Sequence, residues 1–168
     1  EGNLLDAGLA ISGDGLSITI DASSAAFPIT VDPLLTTPSW TAESNQAECR
    51  YGWSVATAGD VNGDGYSDVI VGAPYYTNGS TEEGRAYVYL GSASGLSTSA
   101  SWTAESNQAY SEFGCSVATA GDVNGDGYSD VIVGAYDYDH DQSAEGMAFV
   151  WHGSSSGVND DIDGTPVN

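Results

Sequence analysis

Apolar and polar residues in this chain follow a two-residue period over short stretches and a helical period nowhere. Bulky and small residues alternate from Gly52 to Ala58, whereas Val69, Ile70 and Val71 form a run with no polar alternation. From Arg85 to Leu90, Tyr87 and Tyr89 fall on one face and Ala86, Val88 and Leu90 on the other. Ser101–Glu105 is a fourth short stretch and carries Trp102. Alternation puts successive side chains on opposite faces of a strand, and an unbroken apolar run is expected where both faces are covered. Glycine, serine, asparagine and aspartate punctuate the intervals, as in the Gly91–Gly95 turn. The pattern predicts an all-β chain.

The four stretches recur. Residues 39–96 and 101–158 align without a gap at an offset of 62 residues and agree at 39 of 58 positions. Ser39–Ala47 and Ser54–Ala73 are identical to their counterparts. Self-similarity at such a period indicates stacked units, none of which buries its apolar surface alone. Four-stranded units covered on both faces are expected of β-propeller blades. The predicted organisation is a β-rich segment over residues 1–38, a first blade over 39–106 with a leading outer strand at 39–44, and a second blade with a tail over 107–168.

Within each unit lies one acidic, glycine-broken loop, Asp60-Val61-Asn62-Gly63-Asp64-Gly65-Tyr66-Ser67-Asp68, repeated unchanged as Asp122-Val123-Asn124-Gly125-Asp126-Gly127-Tyr128-Ser129-Asp130. Ca²⁺ takes roughly six to eight oxygens, and alternate acidic side chains on a tight loop converge on one point. The side chains of Asp60, Asn62, Asp64 and Asp68 and the Tyr66 carbonyl are the candidate donors, as are Asp122, Asn124, Asp126, Asp130 and the Tyr128 carbonyl. The spacing matches the first nine positions of an EF-hand loop, but Val71 and Val133 stand where that loop has its bidentate Glu. Two Ca²⁺ sites are expected.

Tyr51-Gly52 and Phe113-Gly114, with Gly72-Ala73-Pro74, resemble the Phe-Gly and Gly-Ala-Pro signatures of FG-GAP repeats, the blades of integrin α-subunit propellers and of many bacterial extracellular proteins. The second copy departs at Gly134-Ala135-Tyr136. The resemblance covers residues 39–158 and implies metal ligation by Asp60, Asn62, Asp64, Tyr66 and Asp68 and by Asp122, Asn124, Asp126, Tyr128 and Asp130. Residues Gly13–Leu34 resemble the short β-segment that precedes such repeats in bacterial proteins.

Charge narrows the partners. Twenty-four Asp and Glu face two Arg and no Lys, a formal net charge of −22. Such a surface repels nucleic acid and anionic membranes, and its self-repulsion is screened in salty, calcium-rich surroundings. No stretch approaches the roughly 20 apolar residues of a membrane span. No signal peptide is seen and residue 1 is Glu rather than Met, as expected of a processed chain or a piece of a longer one. Asn78-Gly79-Ser80 has the form of a glycosylation acceptor, though an unmodified turn is the commoner outcome.

The cysteines break the repeat, Cys49 aligning with Ser111 and Cys115 with Trp53. An intrachain bridge between blades, two separate thiols and an interchain bridge all remain open at this point. His140 and His152 fall in no catalytic motif. Asp137, Asp139 and Asp141 read as a solvated acidic loop, with an extra cation site as the alternative. Trp40, Trp53, Trp102, Tyr87 and Tyr89 read as core between blades rather than a sugar platform.

Closure of a propeller takes roughly four to eight blades, and two are present. A spare fourth-type strand leads the first blade, while residues 159–168 carry no Trp-containing equivalent after the second. These observations point to a non-enzymatic, calcium-binding extracellular adhesion or scaffold module whose partners are further blades or other copies of itself, and extracellular protein or carbohydrate. The alternatives are a filament subunit assembled by strand exchange, and a non-catalytic piece of a propeller enzyme acting on polysaccharide.

Overall fold

The computed structural model describes the backbone of residues 7–12 and 15–20, and residues 37–159 in full. Two units are distinct, Glu1–Thr37 and Pro38–Asn168. In the first, β1 (Ala7–Ser12) and β2 (Gly15–Ile20) form an antiparallel hairpin, with Ala7 opposite Ile20. The remainder of the segment likened to bacterial propeller leaders, residues 21–34, lies outside the described residues.

The second unit holds two sheets. β3 (Ser54–Gly59), β4 (Asp68–Ala73), β5 (Arg85–Tyr89) and β6 (Trp102–Glu105) make a four-stranded antiparallel meander. β7 (Ser116–Gly121), β8 (Asp130–Ala135) and β9 (Met147–Trp151) repeat its first three strands. The chain is therefore all-β, with two blades of an unclosed propeller, and the second blade lacks a fourth strand among the described residues, in line with the absence of a Trp-containing segment after it in the sequence. The leading strand expected at residues 39–44 is also absent. A ladder needs a neighbour to supply its hydrogen bonds, and among the described residues none lies beside that segment.

Each blade's inner strand ends in a bulge, the register slipping between Thr57 and Gly59 and between Thr119 and Gly121. A bulge bends and twists its strand, and here it turns the chain into the acidic loop.

The core lies between the blades. Ala58, Val61, Ile70, Ala86 and Val88 of the first blade meet Phe113, Val131, Val133, Ala135 and Phe149 of the second. This is what the alternation in β5 requires: Ala86 and Val88 face the second blade, and Tyr87 and Tyr89 face the opposite side with Cys49, Val71 and Ala73. Backbone contact closes the seam. Gly84 pairs with Phe113 in a parallel bridge, and Ser54 Oγ donates to the Gly114 carbonyl at 2.7 Å. A Cβ on Gly72 would lie 2.0 Å from that carbonyl oxygen, so the approach requires glycine.

Candidate metal centre

Each acidic loop joins the first two strands of its blade, and the two loops are neighbours. Ser129 N donates to the Asp60 carbonyl at 2.9 Å, and Ser129 Oγ accepts from Asp60 N at 3.1 Å. The loop 60–68 is thus clasped by the second blade, and Val61 is fully buried beneath Ser154, whose N–H donates to the Val61 carbonyl. Its counterpart Val123 is 57% exposed.

Within the first loop, side-chain oxygens gather on the loop's own N–H groups. Asp60 Oδ1 and Asn62 Oδ1 both accept from Asp64 N, at 3.0 and 3.2 Å. Two acceptors on one donor necessarily lie close together. Asp60 Oδ2 accepts from Gly65 N at 2.9 Å, and Asp64 Oδ1 accepts from Tyr66 N at 2.9 Å. The Asn62 amide donates to Asp64 Oδ2 at 2.9 Å. The second loop repeats this: Asp122 Oδ1 and Asn124 Oδ1 share Asp126 N, each at 3.0 Å, and Asp126 Oδ1 accepts from Tyr128 N at 3.0 Å. Gly63 and Gly125 permit the positive φ of 72° and 77° at these turns.

Asp68 and Asp130 are placed differently. Both are fully buried. Asp68 Oδ2 accepts from Val61 N and Oδ1 from Gly91 N, both at 2.8 Å, so the carboxylate ties the loop to the turn after β5. Asp130 does the same with Val123 N and Gly153 N, again at 2.8 Å. Sequence reasoning placed both residues among the ligands and missed this stapling role; the buried position following a polar loop is its only trace in the sequence. No three His, Cys, Asp or Glu side chains stand grouped as a metal site among the described residues.

Electrostatics separates the copies. Burial pushes the Asp68 carboxyl above its usual range, the N–H groups of Gly91 and Val61 oppose that, and the nearby Asp64 and Asp60 raise it further. At Asp130 burial also raises, but Gly153 N–H, Val123 N–H and the His152 imidazole outweigh it, leaving the carboxyl below its usual range. His152 Nδ1 stands 3.3 Å from Asp130 Oδ2, where the first copy has Leu90.

The donor set fits an oxygen-seeking divalent cation. Asp60 and Asn62 bring a carboxylate and an amide oxygen to the Asp64 N–H group, the Asp64 carboxylate accepts from Tyr66 N and the Asn62 amide beside them, and Tyr66 O takes no hydrogen bond from the described residues. The described cations are engaged elsewhere, Arg85 with Glu105 at 3.0 Å and Arg50 over the rings of Trp53 and Tyr75. Oxygen-only donors with several carboxylates suit Ca²⁺ or Mg²⁺ rather than softer metals.

Other expectations fare unevenly. Of the cysteine arrangements left open by the sequence, the structure has two separate thiols: Cys49 and Cys115 are both free. Cys49 Sγ lies 2.8 Å from Ser44 Oγ in the core on the outer side of the first blade, while Cys115 donates to the Gly134 carbonyl within the second blade. Mass spectrometry after alkylation under denaturing, non-reducing conditions should find two modified thiols. A single Cys49–Cys115 peptide pair would contradict this placement.

His140 lies in an exposed loop, with Nδ1 at 3.4 Å from Asp141 Oδ2. Asp139 and Asp141 are exposed in the same loop, and Asp137 is half-buried. The loop is held by Gln108, which exchanges two hydrogen bonds with the Asp139 backbone, and by Glu145, which accepts from His140 N and Asp141 N. Trp102, Tyr87 and Tyr89 are buried and Trp40 half-buried, as expected of core, but Trp53 is 59% exposed.

The repeats have relatives. The FG-GAP repeat family matches residues 51–89 and 113–151, the spans of β3 to β5 and of β7 to β9. The two blades are FG-GAP repeats. The chain is 40% identical over 116 residues to integrin alpha-PS2 of Drosophila melanogaster, covering 64% of this chain and 8% of the relative. It is 44% identical over 114 residues to integrin alpha-7 of Homo sapiens, covering 64% and 9%. It is 40% identical over 103 residues to integrin alpha-IIb of Mus musculus, covering 61% and 10%. The chain thus matches about a tenth or less of the length of these relatives.

Proposed function

We propose that these FG-GAP blades form a calcium-stabilised, non-enzymatic interaction module that works outside the cell, in adhesion or as a surface scaffold. The observation that carries the calcium reading is the pair of identical loops on adjoining blades, each gathering Asp and Asn oxygens around one N–H group with no Lys or Arg side chain engaged there. Asp60, Asn62, Asp64 and the Tyr66 carbonyl, and the corresponding Asp122, Asn124, Asp126 and Tyr128 carbonyl, would hold the two ions, with Asp68 and Asp130 closing each loop from below. A bound Ca²⁺ supplies the positive charge that lets these carboxylates stand together. Similarity to integrin alpha chains supports an extracellular setting, as does a net charge of −22. No described helix is long and apolar enough to cross a membrane.

Isothermal titration with CaCl₂ tests the reading. Two binding events are expected, with Kd at or below the roughly 10⁻⁴–10⁻³ M of extracellular calcium modules. Asp64→Ala should remove one event and leave the second. No binding up to about ten times that range would overturn the assignment.

Asp68→Ala should behave differently from Asp64→Ala in the absence of metal. It strands the N–H groups of Val61 and Gly91, each buried unsatisfied group costing about 1–3 kcal/mol. Denaturant unfolding in chelator should therefore show a clear loss for Asp68→Ala and little change for Asp64→Ala. Equal midpoints would refute the staple.

A further inference from the structure

The seam between the blades has two unpaired halves at the ends of the pair. On the far side of the second blade stand the counterparts of the residues that the seam buries in the first. Val61 and Val88 are fully buried, whereas Val123 is 57% and Val150 40% exposed. Ala86 is buried and Ala148 exposed; Ile70 is buried and Ile132 only half-buried. Glu83 is buried against the seam, and its counterpart Glu145 is exposed. Gly134 and Gly146 occupy the places of Gly72 and Gly84, but no neighbouring blade approaches them among the described residues. Ser54 Oγ donates to Gly114 O across the seam; its counterpart Ser116 is exposed and makes no such bond.

The complementary half is on the first blade. Tyr51 packs edge-on against Tyr87 with centroids 5.2 Å apart, as Phe113 packs on Phe149 at 5.4 Å. Trp40 meets Tyr89 edge-on at 5.0 Å, as Trp102 meets Trp151 at 5.2 Å. Gln46 exchanges two hydrogen bonds with the Thr77 backbone, both at 2.8 Å, as Gln108 does with Asp139. Residues 39–47 are thus seated on the first blade as residues 101–109 are seated on the second. The difference lies behind them: Trp102–Glu105 is also the fourth strand of the preceding blade, paired with β5, whereas residues 39–43 pair with no strand. β9, the counterpart of β5, has no strand on its outer edge among the described residues.

We infer that copies of this chain associate head to tail, residues 40–43 of one copy adding as the fourth strand to β9 of the next. The register follows from the β5–β6 pairing, in which Val88 faces Trp102 and Arg85 faces Glu105. It sets Trp40 opposite Val150 of the adjoining copy and Glu43 opposite its Met147. The new interface continues the existing seam with the same glycines, and 39–47 is identical in sequence to the segment that already does this work. An open strand edge is a template for such addition, and a head-to-tail contact generates a ring or a filament.

Charge favours this partner. In the internal seam Glu112 N donates to Glu82 O at 3.4 Å, so two acidic residues sit side by side. At the proposed junction Arg50 replaces Glu112 and Ala144 replaces Glu82, beside Glu145, Asp141 and Asp139 of the other copy. Arg50 is exposed and has no carboxylate partner among the described residues.

The inference goes beyond the calcium reading and stands on different residues, so sedimentation and light scattering are run both with calcium and with chelator. Species at multiples of 17.2 kDa that grow with protein concentration are expected in at least one condition. Arg50→Glu should weaken association roughly tenfold at low salt. Thr41→Pro, on an exposed residue outside every strand, should abolish it while the circular dichroism spectrum is kept. Gly134→Ala should abolish it too, by placing a methyl where the next copy's Gly52 carbonyl must approach. A peptide of residues 38–47 should compete. A single 17.2 kDa species at every concentration in both conditions overturns the inference, as does an assembly indifferent to both Thr41→Pro and Gly134→Ala.

Discussion

Removal of calcium should lower the Tm of this chain by about 15–20 °C. A ligand that binds only the native state stabilises by about 2.7 kcal/mol per site at a hundredfold excess over Kd. Two loops then contribute roughly 5 kcal/mol, and a domain of this size shifts by roughly 3–4 °C per kcal/mol. The physical origin is local. Without a cation, Asp60 and Asp64 lie close enough to Asp68 to raise its carboxyl pKa, and the described Lys and Arg complement offers no counter-charge at the loop. The effect should be larger for the second loop, which faces solvent, than for the first, which Ser129 and Ser154 already hold from the adjoining blade. Asp126→Ala should therefore lose more of the calcium-dependent increment than Asp64→Ala. Thermal unfolding in excess chelator and in excess calcium checks both statements, and coincident curves would refute the first.

Much of this was legible in the sequence because the repeat supplied a comparison within one chain. Alternation in Arg85–Leu90 located β5 and assigned its two faces, and the run at Val69–Val71 located a strand covered on both sides. The strand ends were less legible: Gly52 and Trp53 precede β3 rather than joining it, because Gly52 takes a positive φ of 82° and Trp53 N turns back to the Arg50 carbonyl. The segment 39–44 forms no strand here because identity to a strand-forming segment says nothing about whether a neighbour is there to pair with it. Trp53 was misread for a related reason, since its counterpart is Cys115 and the repeat pattern gives no guidance where the copies differ. Asp68 and Asp130 carried the ligand spacing, but spacing did not reveal that each carboxylate also holds two backbone N–H groups. The cysteines carried no geometric information in the sequence, and the structure sets them on different blades.

The sharpest test of the seam comes from one substitution made at both repeat positions. Gly72→Ala should destabilise strongly, by about 3 kcal/mol or more, whereas Gly134→Ala should cost under about 1 kcal/mol in the isolated chain. The two glycines occupy the same place in identical strands, so propensity and the entropy of the unfolded chain change equally and cancel. Both new methyl groups meet a serine hydroxyl 2.4 Å away, that of Ser54 or Ser116, and a serine can turn aside. Only at Gly72 does the methyl also meet backbone, the Gly114 carbonyl oxygen at 2.0 Å. That carbonyl is fixed by its neighbours: Gly114 N donates to Gly134 O at 2.9 Å, and Phe113 beside it is 1% exposed between Phe149 and Trp151. Relief therefore requires the blades to part, exposing Ile70, Ala86 and Val88 on one side and Val131 and Val133 on the other. Close-packed interiors do not yield such space cheaply. Urea unfolding of the two variants beside the parent, at a concentration low enough to keep the chain monomeric, measures the difference directly. Equal losses would mean that the blades are not in backbone contact at Gly72 and Gly114.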